Sequence, residues 1–313
     1  MYTVILSVDL NPVLRKRIKV PFRKDHPGAL TPERIDIFPG GEGIELALML
    51  RIMNEDALVC GISGGYTGKV VRDFLDGSGI EHDFVEIRES TGEQLFIHYS
   101  DGQTLISEIR PRLSKDEAAV YLRHFKENLN TCEITCITGT VPNNLPDGML
   151  EEMLIMSRQF GRRSLAALKG RDAAQAVKGS PYLMALDLAS LENITHLKLE
   201  YDSEIIKACR YLLDKDIEYV FVDLREKGAL VLSDEKGYRV DIPSIGREHC
   251  NTNYGYLLAG VALGMIRGYD EETIFRLGSA ASLIHCFIRS GEVDMSDIKG
   301  LMNKLEVRTF RNI

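Results

Sequence analysis

The stretch from Cys250 to Met265, CNTNYGYLLAGVALGM, constrains the fold more than any other part of the chain. A short polar turn runs into an apolar segment in which Ala259, Gly260, Ala262 and Gly264 keep the side chains small. That pattern predicts a helix start packed closely against its neighbours. Such a helix needs a large core around it, and 313 residues of which 44% are hydrophobic can supply one, as a single large domain with an appendage or as two domains. Its first turn gathers free backbone N–H groups, which is where a phosphate would bind and be worked on.

Charge narrows the partners. Lys and Arg total 38 against 46 Asp and Glu, a net charge of −8, which argues against a nucleic acid or an anionic membrane surface and for a small polar ligand or a protein partner. No apolar run reaches the ~18 residues of a membrane span, and the start MYTVILSVDLNP lacks the basic region and cleavage site of a signal peptide, so a cytoplasmic location is expected. The six cysteines, at 60, 132, 136, 209, 250 and 286, form no CxxC pair, and all are expected to be reduced and mostly buried. No metal site is expected. His249-Cys250 lacks a third ligand at suitable spacing, and Asn193-Ile194-Thr195 is read as noise without a secretion signal.

Elements follow from periodicity. Thr3–Leu10 reads as a strand closed by Asn11-Pro12, Ile18–Val20 as a short extended piece, Arg34–Phe38 as an alternating strand, and Ile44–Met53 as a helix apolar nearly all round. Ala57–Ile62 is a core strand and Gly68–Leu75 an amphipathic helix. Gln94–Ile109 is the clearest hairpin, with two alternating arms across Asp101-Gly102, a pair that favours a type I′ turn. After Ser114, a helix-starting serine with Glu117 three residues on, helix and strand alternate. Helices are expected at 115–127, 146–160, 171–178, 202–214, 255–267, 271–289 and 296–304. Strands are expected at Ile134–Thr138, Ser164–Leu168, Tyr182–Asp187, Ile217–Asp223, Ala229–Ser233 and Tyr238–Ile242.

The punctuating motifs, in order and spacing, resemble those of the PfkB, or ribokinase-like, carbohydrate kinases, closest to the 1-phosphofructokinase and tagatose-6-phosphate kinase branch. Asn11-Pro12-Val13-Leu14 is similar to that branch's opening NPAL, Gly40–Ala47 (GGEGIELA) to GGKGINVA, and Gly61–Gly68 (GISGGYTG) to GFLGGFTG. Gly139–Pro146 (GTVPNNLP) and Asp223–Ala229 (DLREKGA) continue the resemblance. Cys250–Met265 then aligns with the signature loop GAGDSMVAGFLAG through Ala259-Gly260. The resemblance implies a three-layer α/β/α sandwich with a mainly parallel central sheet and a small β-sheet lid. It implies one domain over residues 1–313, with the lid from about 11–20, 31–39 and 92–110 and the core from 1–10, 40–91 and 111–313. It also implies a homodimer through the lid, ATP and Mg2+ as cofactors if activity is kept, and a substrate pocket that includes Asn11, Gly40, Gly41 and, on a lid arm, His98.

The departures carry the chemistry. The aspartate that holds sugar hydroxyls in the family is Arg15 here, and the lysine and asparagine of its second motif are Glu42 and Glu45. An ion pair from Arg15 to Glu42 or Glu45 is expected to fill the sugar position. Attraction for a substrate phosphate has become repulsion, worth several kcal/mol at ~4 Å and a dielectric near ~20. On the nucleotide side, Asp187 and Ser190 stand in the metal-arranging segment, whose glutamate has become Ser190. Asp223 and Arg225 replace the residues that lie along the phosphates, ahead of Gly228. Thr252, Asn253 and Tyr254 occupy the G-A-G, and Gly255 the catalytic aspartate. A general base alone is worth ~10²–10⁴ in rate. Tyr254 and Tyr256 are poor bases, since a phenol titrates near ~10, and Glu248 lies seven residues upstream. The resemblance with these departures implies a kinase homologue defective in phosphoryl transfer, with a binding or regulatory role. The alternative is an active kinase with a rearranged site.

Overall fold

In the computed structural model, which describes residues 5–25, 28–107, 110–243, 251–287 and 293–311, the first strand is the keystone. β1 (Ile5–Asp9) is buried along its whole length because parallel neighbours flank it on both sides and helices cover both faces. Beyond it come β2 (Val13–Lys19), β3 (Arg34–Gly40), α1 (Glu42–Ile52), β4 (Leu58–Ser63), α2 (Gly65–Gly77), β5 (His82–Glu86), β6 (Gly92–Tyr99) and β7 (Gly102–Ser107). Then follow α3 (Lys115–Asn128), β8 (Ile134–Thr138), α4 (Met149–Gln159), β9 (Arg163–Ala167), α5 (Gly170–Lys178), β10 (Leu183–Asp187), α6 (Leu188–Thr195), α7 (Asp202–Leu213) and β11 (Tyr219–Asp223). The chain closes with β12 (Ala229–Leu232), β13 (Lys236–Asp241), α8 (Tyr254–Ile266), α9 (Glu271–Phe287), α10 (Met295–Met302) and β14 (Glu306–Arg311).

Ten of these strands form one sheet in the order β14-β13-β12-β11-β10-β9-β8-β1-β4-β5. Pairing is parallel from β5 through β11 and antiparallel from β11 to β14. Alternate strand residues feed two cores. Ile5, Ile134, Leu165 and Phe221 meet α1, α2, α8, α9 and α10 on one face; Leu6, Ile137, Ala166 and Val222 meet α3 to α7 on the other. This is the three-layer α/β/α, ribokinase-like arrangement. The small residues of α8 have a definite use: a Cβ on Gly260 would run into the backbone of Gly278, so α8 and α9 cross at a separation that only glycine permits.

The second sheet, ordered β3-β2-β6-β7, has two unlike faces. Register places Arg17 between Asp36 and Phe96, and Lys19 between Arg34 and His98, on the face that also carries Arg15. The opposite face carries Ile18, Ile35, Ile37, Leu95, Ile97 and Ile106.

Several expectations need correction. Tyr99 pairs with Gly102, so the hairpin turn is centred on Ser100-Asp101 rather than Asp101-Gly102, and Asp101 has no positive φ. Its carboxylate instead accepts the Lys24 N–H at 2.9 Å and pairs with Arg23, which fixes the turn from outside. Ile18–Val20 is the end of a longer strand that starts at Val13. β5, α6 and β14 were not anticipated. Cys60, Cys132, Cys136 and Cys209 are free and buried, but Cys286 is disulfide-bonded, against the expectation of six reduced cysteines. Spacing along the chain carries no information on a bond made by tertiary proximity. Glu248, His249 and Cys250 lie outside the described residues.

Candidate functional site

The carboxyl ends of the parallel strands and the first turns of α1 and α8 converge, which is where open α/β sheets place their ligands. Asp9 ends β1, Thr138 ends β8, Asp187 ends β10 and Asp223 ends β11. Gly41, at φ 124, leads into α1 with no side chain to cap it. Asp9 does that work from β1: its Oδ2 accepts the Ile44 N–H at 3.0 Å, and a Cβ on Gly41 would collide with this carboxylate.

One polar chain crosses the expected sugar position. Gln94 on the lid accepts from Arg15 Nε at 3.0 Å, Arg15 pairs with Glu45 on α1, and Glu45 accepts from Asn253 Nδ2 at 2.8 Å. Asn253 is also the N-cap of α8, its side chain accepting from the Tyr256 N–H at 2.9 Å. Of the two pairings expected for Arg15, Glu45 is the one made. Gly40 gives the Arg15 side chain room, since a Cβ there would overlap the guanidinium. Glu42 turns elsewhere, accepting from the Thr138 hydroxyl at 2.6 Å. Asn11 Nδ2 donates to Thr140 at 2.7 Å, while the buried Asn11 Oδ1 has no partner among the described residues.

The position expected to hold a catalytic carboxylate is closed sterically. A Cβ on Gly255 would lie well inside contact distance of the Glu42 backbone carbonyl oxygen. The start of α8 has therefore settled onto the start of α1 as tightly as a glycine allows. Beside it Tyr254, only 4% exposed, directs its hydroxyl to Asp223 at 3.5 Å, and Lys169 lies over its ring at 5.3 Å. Asp223 also accepts the Arg225 N–H at 2.9 Å, and Arg225 takes a left-handed φ of 55 that would suit glycine. Asp187 caps α6 by accepting the Ser190 N–H at 2.8 Å, and Ser190 Oγ accepts from the Gly170 N–H at 3.2 Å. Gly228 closes the turn at φ 92. Thr252 is partly buried just ahead of the α8 cap. His98 stands apart, on the lid face that lines an open cleft of about 890 Å³ with Arg15, Arg17, Lys19, Phe38 and Phe96.

Electrostatics disfavour the ionised forms of Asp9 and Glu42. Burial, reinforced by Glu45 and Glu42 and opposed by the N–H groups of Ile44 and Asn11, pushes Asp9 up to about 7. Burial also raises Glu42, against the Thr138 hydroxyl and the Lys169 charge. Tyr254 is driven far above the usual phenol range, first by burial and then by Asp223, and burial takes Tyr256 up to about 12. Neither phenol can serve as a base near neutrality. Sequence reasoning missed Asp9, Gln94, Thr138 and Lys169. Asp9 left a signal, as a carboxylate inside an apolar strand; the other three are ordinary polar residues until the fold brings them in.

Comparison with known proteins agrees with this layout. The pattern of the pfkB family carbohydrate kinases matches residues 18–289, most of the chain. The chain belongs to the pfkB carbohydrate kinase family. Its fold is similar to that of a Thermotoga maritima protein described as a possible 1-phosphofructokinase (TM-score 0.85, 21% identity, 98% of this chain and 99% of that one). It is also similar to phosphofructokinase-2 from Escherichia coli in complex with fructose-6-phosphate (0.84, 20%, 97% and 99%), an enzyme also known in a tetrameric inhibited form. These likenesses show the fold.

Proposed function

We propose that this pfkB-family chain has given up phosphoryl transfer and acts by binding, as a regulatory or scaffolding homologue. The observation that carries the reading is the contact of Gly255 with the Glu42 carbonyl, which leaves no room for a side chain where the family's base would stand. The neighbouring residues agree with it. Arg15, Glu45 and Asn253 satisfy one another across the sugar position. The nucleotide side does not fit magnesium-ATP: Asp187 and Ser190 are engaged as caps, the Asp223 carboxylate stands where phosphate would lie, and Tyr254 is buried beside it.

Binding remains open to the molecule. Asn11 Oδ1, without a partner among the described residues, and the cationic face of the lid offer a small polar, anionic ligand both an acceptor and charge, and the lid cleft offers space. The outer lid face is apolar, with Ile35 at 52% and Ile37 at 51% exposure. A second copy's lid would cover it, giving a homodimer. In this reading the chain is one domain, with the lid drawn from about 11–20, 31–39 and 92–110. It works in the cytoplasm; among the described residues no helix is long and apolar enough to cross a membrane.

The test is turnover and calorimetry with magnesium-ATP and fructose 6-phosphate, fructose 1-phosphate or tagatose 6-phosphate. No transfer and no nucleotide heat are expected. Micromolar ATP affinity, or turnover above ~1 per second, would overturn the reading.

A further inference from the structure

At the opposite end of the sheet from the candidate site, the first residues of three parallel strands, Arg163 of β9, Leu183 of β10 and Tyr219 of β11, face the last turns of α8 and the first turns of α9. Between them is a cavity of about 250 Å³. Its walls are mixed: Val261 and Met265 from α8, Ile274 and Phe275 from α9 and the rings of Tyr182 and Tyr219 form an apolar side, and Arg163, Tyr269 and Glu271 a polar one. Tyr182 and Tyr219 are 5.6 Å apart at the ring centroids, and Tyr219 meets Phe275 edge-on at 5.4 Å, so the aromatic wall is built from rings that hold one another.

The polar groups at this cavity are of two kinds. Glu271 is engaged: its Oε1 accepts from Tyr219 at 2.5 Å, and its Oε2 accepts from Tyr238 and, at 3.1 Å, from Lys236. Arg163 is different. It is exposed at the rim, lies 5.9 Å over the Tyr182 ring, and pairs with no carboxylate among the described residues. Contact with the Tyr182 ring and a hydrogen bond to the Tyr182 hydroxyl hold the guanidinium in place, and its five donors leave others to meet a planar anion.

We propose that this cavity is a binding site for a small organic monocarboxylate with an apolar body, its carboxylate held by Arg163 and its body enclosed by Val261, Met265, Ile274 and Phe275. The volume suits a molecule of about ten heavy atoms, for which contact of this quality gives affinity in the millimolar range or somewhat better. The site is independent of the lid and of the Gly255 region, so it stands whether or not the chain is a kinase.

The experiment titrates the full chain with 3-phenylpropionate and 4-methylpentanoate, followed by saturation-transfer NMR, with 3-phenylpropanol as the neutral counterpart. Both acids should bind saturably, and the alcohol at least ~10-fold more weakly, the loss of a charge-assisted pair. Arg163→Gln, an exposed change that should leave the melting temperature in place, should erase the difference between acid and alcohol. A second variant, Ile274→Phe, fills the cavity and should abolish binding of all three. The proposal is overturned if neither acid binds up to about 10 mM, if acid and alcohol bind equally, or if Arg163→Gln leaves acid binding unchanged.

Discussion

Restoring a carboxylate at position 255 should fail to restore catalysis and should weaken the fold. Gly255 is the second residue of α8 and is fully packed. The obstacle to a Cβ there is the Glu42 backbone carbonyl, not a flexible side-chain end that can swing aside. Overpacking of this kind costs about 1–3 kcal/mol. An ionised carboxylate adds a desolvation cost of similar size beside Glu42, whose own carboxyl burial already raises, while the positive end of α8 returns about 0.3–1 kcal/mol. The net is a loss of roughly 2–4 kcal/mol, or about 3–6 °C in melting temperature for a chain of this size. Gly255→Ala carries only the steric part and should lose roughly 1–3 kcal/mol, so the two variants separate packing from charge. Differential scanning calorimetry gives the stabilities, and a coupled assay with magnesium-ATP and fructose 6-phosphate gives the activity. A Gly255→Asp protein that melts with the wild type and gains ~10²-fold or more in transfer, the share of a general base, would refute the reasoning, because it would mean that the pocket had stayed open.

Three further outcomes are expected. Arg15→Met should destabilise by about 1–3 kcal/mol by leaving Glu45, whose side chain is 12% exposed, short of a partner; Arg15→Met with Glu45→Gln should recover part of that loss, and additive losses in a denaturant double-mutant cycle would count against the pair. Asp9 is raised to about 7 from an ordinary 3.8, so the folded chain takes up a proton that the unfolded chain lacks between those values, and this contribution is fully present below the lower pH and lost as pH rises through the upper one. Stability relative to Asp9→Asn should therefore fall from pH 5 to pH 7 at up to about 1.4 kcal/mol per unit; a difference flat with pH would show that Asp9 titrates normally. Ile37→Asp on the outer lid face should yield monomer in light scattering at ~10 μM where the wild type is a dimer, and a wild type that is already monomeric would remove the lid as an interface.

Most of the architecture was legible because it follows from periodicity. The buried α8, the capping box from Ser114 to Glu117 and the alternating lid arms each leave a local signature that the fold keeps. β5 and β14 were missed because edge strands half open to solvent carry polar and charged residues, Asp83 and Arg308 among them, that blur the alternation. The family resemblance and opposite charge together led to an expected pair from Arg15 to Glu42 or Glu45, and the fold makes the one with Glu45. That the Gly255 position is shut by a backbone carbonyl could not be anticipated, since a close approach between residues far apart in sequence is a property of the packed fold. Asp9 as the remote cap of α1 escaped for the same reason.

The central claim is that this pfkB-family chain no longer holds magnesium-ATP in a productive site, and isothermal titration of the purified protein with magnesium-ATP tests it most directly. The account predicts no saturable heat at nucleotide concentrations up to about 1 mM, a limit equivalent to roughly 4 kcal/mol of binding. A saturable isotherm with a micromolar dissociation constant would contradict it, since it would mean that Asp223, Arg225 and Tyr254 leave room for a triphosphate.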